Sequence, residues 1–155
     1  MSDDERQIVE ARLEAILVAV DSGLGLDCEV SIGTNEDAAL VGTFDGPGVA
    51  RLVDDGGALI EAIQMIASQA VRRDTRGIQV VVDAGGYRAR HRAALERLAR
   101  RAAEEAVSSG DEIELDAMNA QDRRIVHMAL AEIEGVATRS EGDDPNRRII
   151  VEPAE

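Results

Sequence analysis

Between Ile8 and Phe44 the spacing of apolar residues switches from helical to alternating, and that switch restricts the fold class. In DDERQIVEARLEAILVAVDSGLG, residues Ile8, Leu13, Ile16, Leu17 and Val20 recur at helical spacing and the run stops at Gly23 and Gly25. This predicts a helix of about five turns. CEVSIGT and AALVGTF then alternate apolar and polar residues across NED, the pattern of a β-hairpin. PGVARLV reads as a short helical turn, and ALIEAIQMIASQAVRR as a helix with Leu59, Ile60, Ile63, Ile66 and Ala70 on one side. IQVVVDA follows as a buried strand. The order α-β-β-α-α-β predicts an α+β unit over residues 1–84.

The rest of the chain, 85–155, reads as a second small α/β unit. GYRARHRAALERLARRAAEEAVSSG is a long helix closed by Gly110, EIELDAM a strand, and NAQDRRIVHMALAEIEG a helix that Asn119 can cap. GVATRSEG and NRRIIVEP form two strands around DDPN, where Asp and Pro favour chain reversal. Neither a flexible linker nor an internal repeat separates the units.

With one Tyr (Tyr87) and one Phe (Phe44) among 155 residues that are 45% hydrophobic, the core is aliphatic and few rings remain for stacking on bases. Cys28 is the only cysteine, which excludes a disulfide framework and a thiolate metal cluster. No apolar run reaches membrane-spanning length and MSDDERQ is acidic where a signal peptide is basic, so a cytoplasmic protein without membrane insertion is expected. All 17 cations are Arg. The formal charge of −14 is uneven: residues 1–75 hold 15 acids and 5 Arg, residues 76–155 hold 16 acids and 12 Arg. The first half repels a polyanion more than the second, so if a nucleic acid binds, it should bind through a local patch in the second half.

The α-β-β-α-α-β order is that of a type II KH domain, which clamps a sugar-phosphate backbone with a G-x-x-G loop. Aligned through the helix, the four loop positions fall on Asp54, Asp55, Gly56 and Gly57. The chain's 14 glycines include no two that are three apart, so no such loop exists in any register. Two carboxylates there repel phosphate by about 1 kcal/mol each. The expectation is a KH shape without its clamp. The competing reading is that Gly56, Gly57 and the helix N-terminus still hold a backbone weakly.

In QDRRIVHMAL, Arg123 and His127 stand one helical turn apart. Ile125, Val126, Ala129, Leu130 and Ile133 share a flank that should be buried, and Arg123, Arg124, His127 and Ala131 cover the adjoining sector, expected to be exposed. Read together with GYR (Gly86 to Arg88), RRIVH and the tail TRSEGDDPNRRIIV, the chain resembles the bacterial Jag family, also called KhpB or EloR. That family joins a KH domain to an R-3-H domain, named for its Arg-xxx-His motif. The resemblance runs from about residue 6 to 153. It implies a cytoplasmic protein that binds single-stranded RNA or DNA, is linked in some bacteria to cell elongation and division, and often acts with a small KH-domain partner. A homodimer is also compatible. The N-terminal extension that many members carry is expected to be absent.

Carried over by the motif are Arg123 and His127 as the nucleic-acid contact pair, with Arg124 on the same face. Arg139, Arg147 and Arg148 are supporting candidates. Each has a structural alternative: Arg139 can pair with Glu141 or a neighbouring acid, and Arg147 and Arg148 must point apart because strand side chains alternate. On the long helix, Arg90, Arg97, Arg100 and Arg101 fall on the outer side, where Glu96–Arg100 and Arg101–Glu105 offer helical charge pairs, and His91 is expected to be packed. No nucleophile with a base, metal-ligand cluster, cofactor site or phosphate-binding loop is present, so catalysis is not expected. Two function classes remain: a single-stranded nucleic-acid binder working through the second unit, and a protein-interaction module in which the KH-like unit docks a KH partner or an assembly factor.

Overall fold

The structure, a computed structural model, describes residues 3–72 and 77–154, and the chain divides into two compact units, Met1–Arg88 and Ala89–Glu155. In the first, α1 (Asp3–Leu24) precedes β1 (Glu29–Thr34) and β2 (Leu40–Asp45), which pair antiparallel. The NED turn is held by Asn35, whose side-chain oxygen accepts from the N–H groups of Asp37 and Ala39. α2 (Val49–Val53) and α3 (Ala58–Arg72) then carry the chain back, so β3 (Val80–Ala84) joins β2 in parallel and the sheet runs β1-β2-β3.

The core sits between sheet and helices. Val9, Leu13 and Leu17 of α1 and Ile60, Ile63, Ala67 and Val71 of α3 meet Leu40, Phe44, Val82 and Ala84. Two helical stripes are rotated from those expected. Ile8, on α1, is exposed and Val9 buried instead; on α3 Ile66 is 55% exposed, the buried row running Ile60–Ile63–Ala67–Val71. Both helices carry more apolar residues than one face holds, so sheet contact selects the stripe, and periodicity alone does not.

The second unit is built on α4 (Tyr87–Ser109), whose first two residues belong to the first unit. Gly110, at φ +75°, ends it with an N–H donated to the Ala106 carbonyl. β4 (Ile113–Glu114), α5 (Ala120–Ala131), β5 (Val136–Glu141) and β6 (Arg148–Pro153) follow, and the sheet runs β4-β6-β5, antiparallel throughout. α5 stops at Ala131, short of the Gly135 where its pattern pointed; Asn119 caps it by accepting from the Asp122 N–H. Ala99, Ala102, Ala103 and Ala106 give α4 a thin inner face against Val126, Leu130, Ile149 and Val151. The class is α+β: a KH-like α-β-β-α-α-β unit, then a small α/β unit. Among the described residues no helix is long and apolar enough to cross a membrane.

Candidate nucleic-acid interface

α5 carries the Arg-xxx-His motif, and its two members have different surroundings. Arg123 is 7% exposed, which corrects the expectation that it stands in the open sector. Its Nη1 donates to the Met118 carbonyl at 2.6 Å and to Asp144 Oδ1 at 2.9 Å, so it ties the entry of α5 to the β5–β6 turn. The correction has a plain cause: Arg123 lies beside the buried Val126 row, and a long side chain there reaches backbone rather than water. His127 is half-buried, with Nδ1 2.7 Å from Thr138 Oγ1 on β5. That bond fixes the ring, and its Nε2 has no hydrogen-bond partner among the described residues. Arg124 is exposed, with no carboxylate within ion-pair distance among the described residues.

The supporting arginines sort equally clearly. Arg147 donates from Nε to Ser140 Oγ at 2.9 Å. Thr138 and Ser140 are two apart on β5 and share a face, so one face of that strand steadies both His127 and Arg147. Arg148 points to the other neighbour, β4, where its Nε lies 2.6 Å from Glu114 Oε1. That nitrogen is buried without an aligned acceptor, so the contact is a charge pair rather than a hydrogen bond. Arg147 and Arg148 do point apart, but Arg147 lies just before β6, so the divergence is toward β5 and β4 rather than the alternation within a strand that was expected. Arg139 is enclosed by acids: two parallel bonds of 3.0 Å to Glu112, a further bond to Glu152, and Glu141 at 3.6 Å. The bond to Arg139 holds the Glu112 carboxyl below its ordinary value, and Glu112 raises that of Arg139. Arg139 therefore takes the structural alternative.

On α4 the balance is reversed. Arg92, Arg97, Arg100 and Arg101 are exposed, and none has an ion pair among the described residues. The expected Glu96–Arg100 and Arg101–Glu105 pairs do not form within 4.0 Å. His91, expected to be packed, is instead partly exposed and bonded to a carboxylate, its Nε2 3.0 Å from both oxygens of Asp122 on α5. Arg92 drew no attention in the sequence, where only a wheel of α4 against α5 could have singled it out.

The loop standing where a KH clamp would be is occupied by the protein's own groups. Asp54 ends α2 and Asp55 accepts the Leu59 N–H at 3.2 and 3.4 Å, so a carboxylate already fills the start of α3. The Tyr87 hydroxyl donates to the Gly56 carbonyl at 2.9 Å. Gly57, at φ +87°, packs so close that a Cβ would meet that ring at 2.5–2.8 Å. The free edge of β3 is closed too. Gln64 bonds the Val80 carbonyl and the Val82 N–H, both at 2.6 Å, and Arg88 Nε donates to the Val82 carbonyl at 2.7 Å. These roles of Gln64, Tyr87 and Arg88 have no local sequence signal, because they depend on long-range packing. The lone Cys28 precedes β1, and burial together with Asp21 pushes its thiol up, away from the reactive thiolate.

The R-3-H domain model matches residues 93–153. Three curated proteins named RNA-binding protein KhpB are similar to the chain. That of Lactiplantibacillus plantarum is 34% identical over 92% of this chain and 44% of its own length. That of Clostridium symbiosum is 28% identical over 97% of this chain and 65% of its own. That of Streptococcus pneumoniae is 30% identical over 66% of this chain and 31% of its own. The chain thus spans 31% to 65% of the length of these relatives. Residues 93–153 are an R-3-H domain, and over most of its length the chain is similar to proteins named RNA-binding protein KhpB.

Proposed function

We propose that this protein binds single-stranded RNA through the R-3-H unit, taken as residues 85–155, while the KH-like unit, 1–84, lacks phosphate-clamp activity. The observation that carries this is the contrast on α5: Arg124 is exposed and without an ion pair among the described residues, beside a His127 whose ring is fixed by Thr138 and whose Nε2 has no partner among them. The names of the relatives and the R-3-H match support the same reading. Arg124, His127 and Arg147 are the direct contacts, and Arg123 holds α5 and the β5–β6 turn in the geometry they need. Arg139 and Arg148 act within the sheet. Binding rather than catalysis, in the cytoplasm, is the activity proposed.

Fluorescence anisotropy of a labelled single-stranded RNA at two salt concentrations tests this. Arg124→Ala/His127→Ala should weaken binding about tenfold and flatten the salt dependence, since each lost phosphate contact removes released counterions. Unchanged affinity in the double variant overturns the assignment.

A second reading, protein docking by the KH-like unit, is favoured by its exposed apolar residues: Ile8 and Val18 on α1, Met65 and Ile66 on α3. A small KH-domain protein or a second copy of this chain would cover such a surface. Sedimentation of the chain alone and with the partner separates the two.

A further inference from the structure

We infer that the groove between α4 and α5 is the track of the bound strand, with phosphates held by Arg92, Arg100 and Arg124 and an unstacked base laid on Met128. The inference rests on the RNA-binding reading and extends it to residues outside the Arg-xxx-His motif.

The groove has a volume of about 380 Å³ and an apolar floor of Ile125, Met128 and Ala129. Met128 is 61% exposed, the most exposed of the large hydrophobics in this unit. It stands one turn beyond Arg124 and so on the same side of α5. Arg92 and Arg100 line the opposite wall on α4. They lie eight residues apart, about 12 Å of helix rise, a span that a short stretch of extended strand covers.

Charge selects the occupant. The protein carries 31 acids against 17 arginines, yet these three arginines remain without an ion pair among the described residues. Glu96 stands one turn from both Arg92 and Arg100 and pairs with neither. Glu132 is the other acid of the groove, so its two arginines face two acids, and Arg124, outside the lining and one turn before Met128, adds a further cation beside it. Unpaired guanidinium groups flanking an apolar strip fit a ligand that alternates anionic groups with flat apolar ones, which is the chemistry of a single strand. The near absence of rings explains the use of Met128: a polarizable thioether is the largest flexible apolar surface available where no aromatic side chain stands.

The test uses the full chain, a labelled mixed-sequence RNA and an abasic single strand of equal length. Arg92→Ala/Arg100→Ala should weaken RNA binding about tenfold and reduce the slope of log affinity against log salt by about one to two ions. Met128→Ala should weaken the RNA about threefold and leave the abasic strand unchanged. All three positions are exposed, and circular dichroism checks that the variants fold. If Arg92→Ala/Arg100→Ala binds RNA as the parent does while Arg124→Ala/His127→Ala does not, the groove is not the track, although the RNA-binding reading stands. A Met128→Ala loss of equal size on the abasic strand removes the base contact. If the parent protein binds neither strand at low salt, the RNA-binding reading falls and this inference with it.

Discussion

At the start of α3 the Asp55 carboxylate receives the Leu59 N–H that a KH clamp would turn toward phosphate; on α5 Arg124 is exposed, with no carboxylate within ion-pair distance among the described residues. The same contrast extends outward from each point. Around the KH-like loop, Tyr87, Gln64 and Arg88 engage the backbone groups of the loop and of the β3 edge. Around α5, Arg92, Arg97, Arg100 and Arg101 of α4 have no ion pair among the described residues. A net charge of −14 says little about this, because what a polyanion meets at short range is the set of charges not already neutralised. The difference teaches that function in such a chain follows pairing, and that neighbouring arginines of one motif can play opposite parts.

Arg123 and Arg124 make the sharpest form of that comparison. Arg123→Ala should cost the R-3-H unit about 2–3 kcal/mol, since it strips a charged donor from the Met118 carbonyl and from Asp144. Arg124→Ala, at an exposed site, should change stability by less than about 0.5 kcal/mol. Urea denaturation of the two variants measures both. Equal stabilities would show that Arg123 is not an anchor and return it to the list of direct contacts.

The KH-like loop offers the next largest effect. Gly57→Ala places a Cβ against the Tyr87 ring at a position whose φ of +87° already disfavours it, and should cost about 2 kcal/mol. Full tolerance would mean that Tyr87 does not lock the loop. A smaller change probes the closed groove directly. Asp54→Gly/Asp55→Arg rebuilds a G-x-x-G with one basic residue, yet RNA affinity should rise less than about threefold. Gln64 and Arg88 still occupy the β3 edge, and a clamp alone is one or two phosphate contacts. A large gain, seen in an Arg124→Ala/His127→Ala background, would show that the acids were the sole obstacle.

Most of the fold was legible in advance because local pattern and tertiary structure agree. The hairpin, the Asn119 cap, the Gly110 stop and the order of helices and strands along the chain follow from residues close in sequence. Misjudged were features that a partner element decides: which stripe of α3 is buried, where α5 ends, and whether Arg123 faces water. The site was legible only as a motif. That Arg139 is enclosed by Glu112, Glu141 and Glu152 depends on strand neighbours 27, 2 and 13 residues away. That Arg100 fails to pair with Glu96, one turn before it, runs against the helical pairing rule, which gives a tendency of a few tenths of a kcal/mol that hydration readily offsets.

The acidic surround of Arg139 yields the smallest effect and a test by pH. Its bond to Arg139 keeps Glu112 ionised below the ordinary value of 4.5. A carboxyl with a depressed folded value contributes stability that is present above its unfolded value and lost as pH falls through the folded one. Glu112→Gln should therefore be slightly less stable than the parent at neutral pH, and the gap should close in acid. Because the pair is exposed to solvent, salt should shrink the gap as well. Urea midpoints of the two proteins, at neutral pH and well below 4.5, measure it. A gap that persists in acid would mean that Glu112 serves the sheet by packing rather than by charge. Arg139 would then be less firmly neutralised than its bonds suggest, and would rejoin the arginines open to a phosphate.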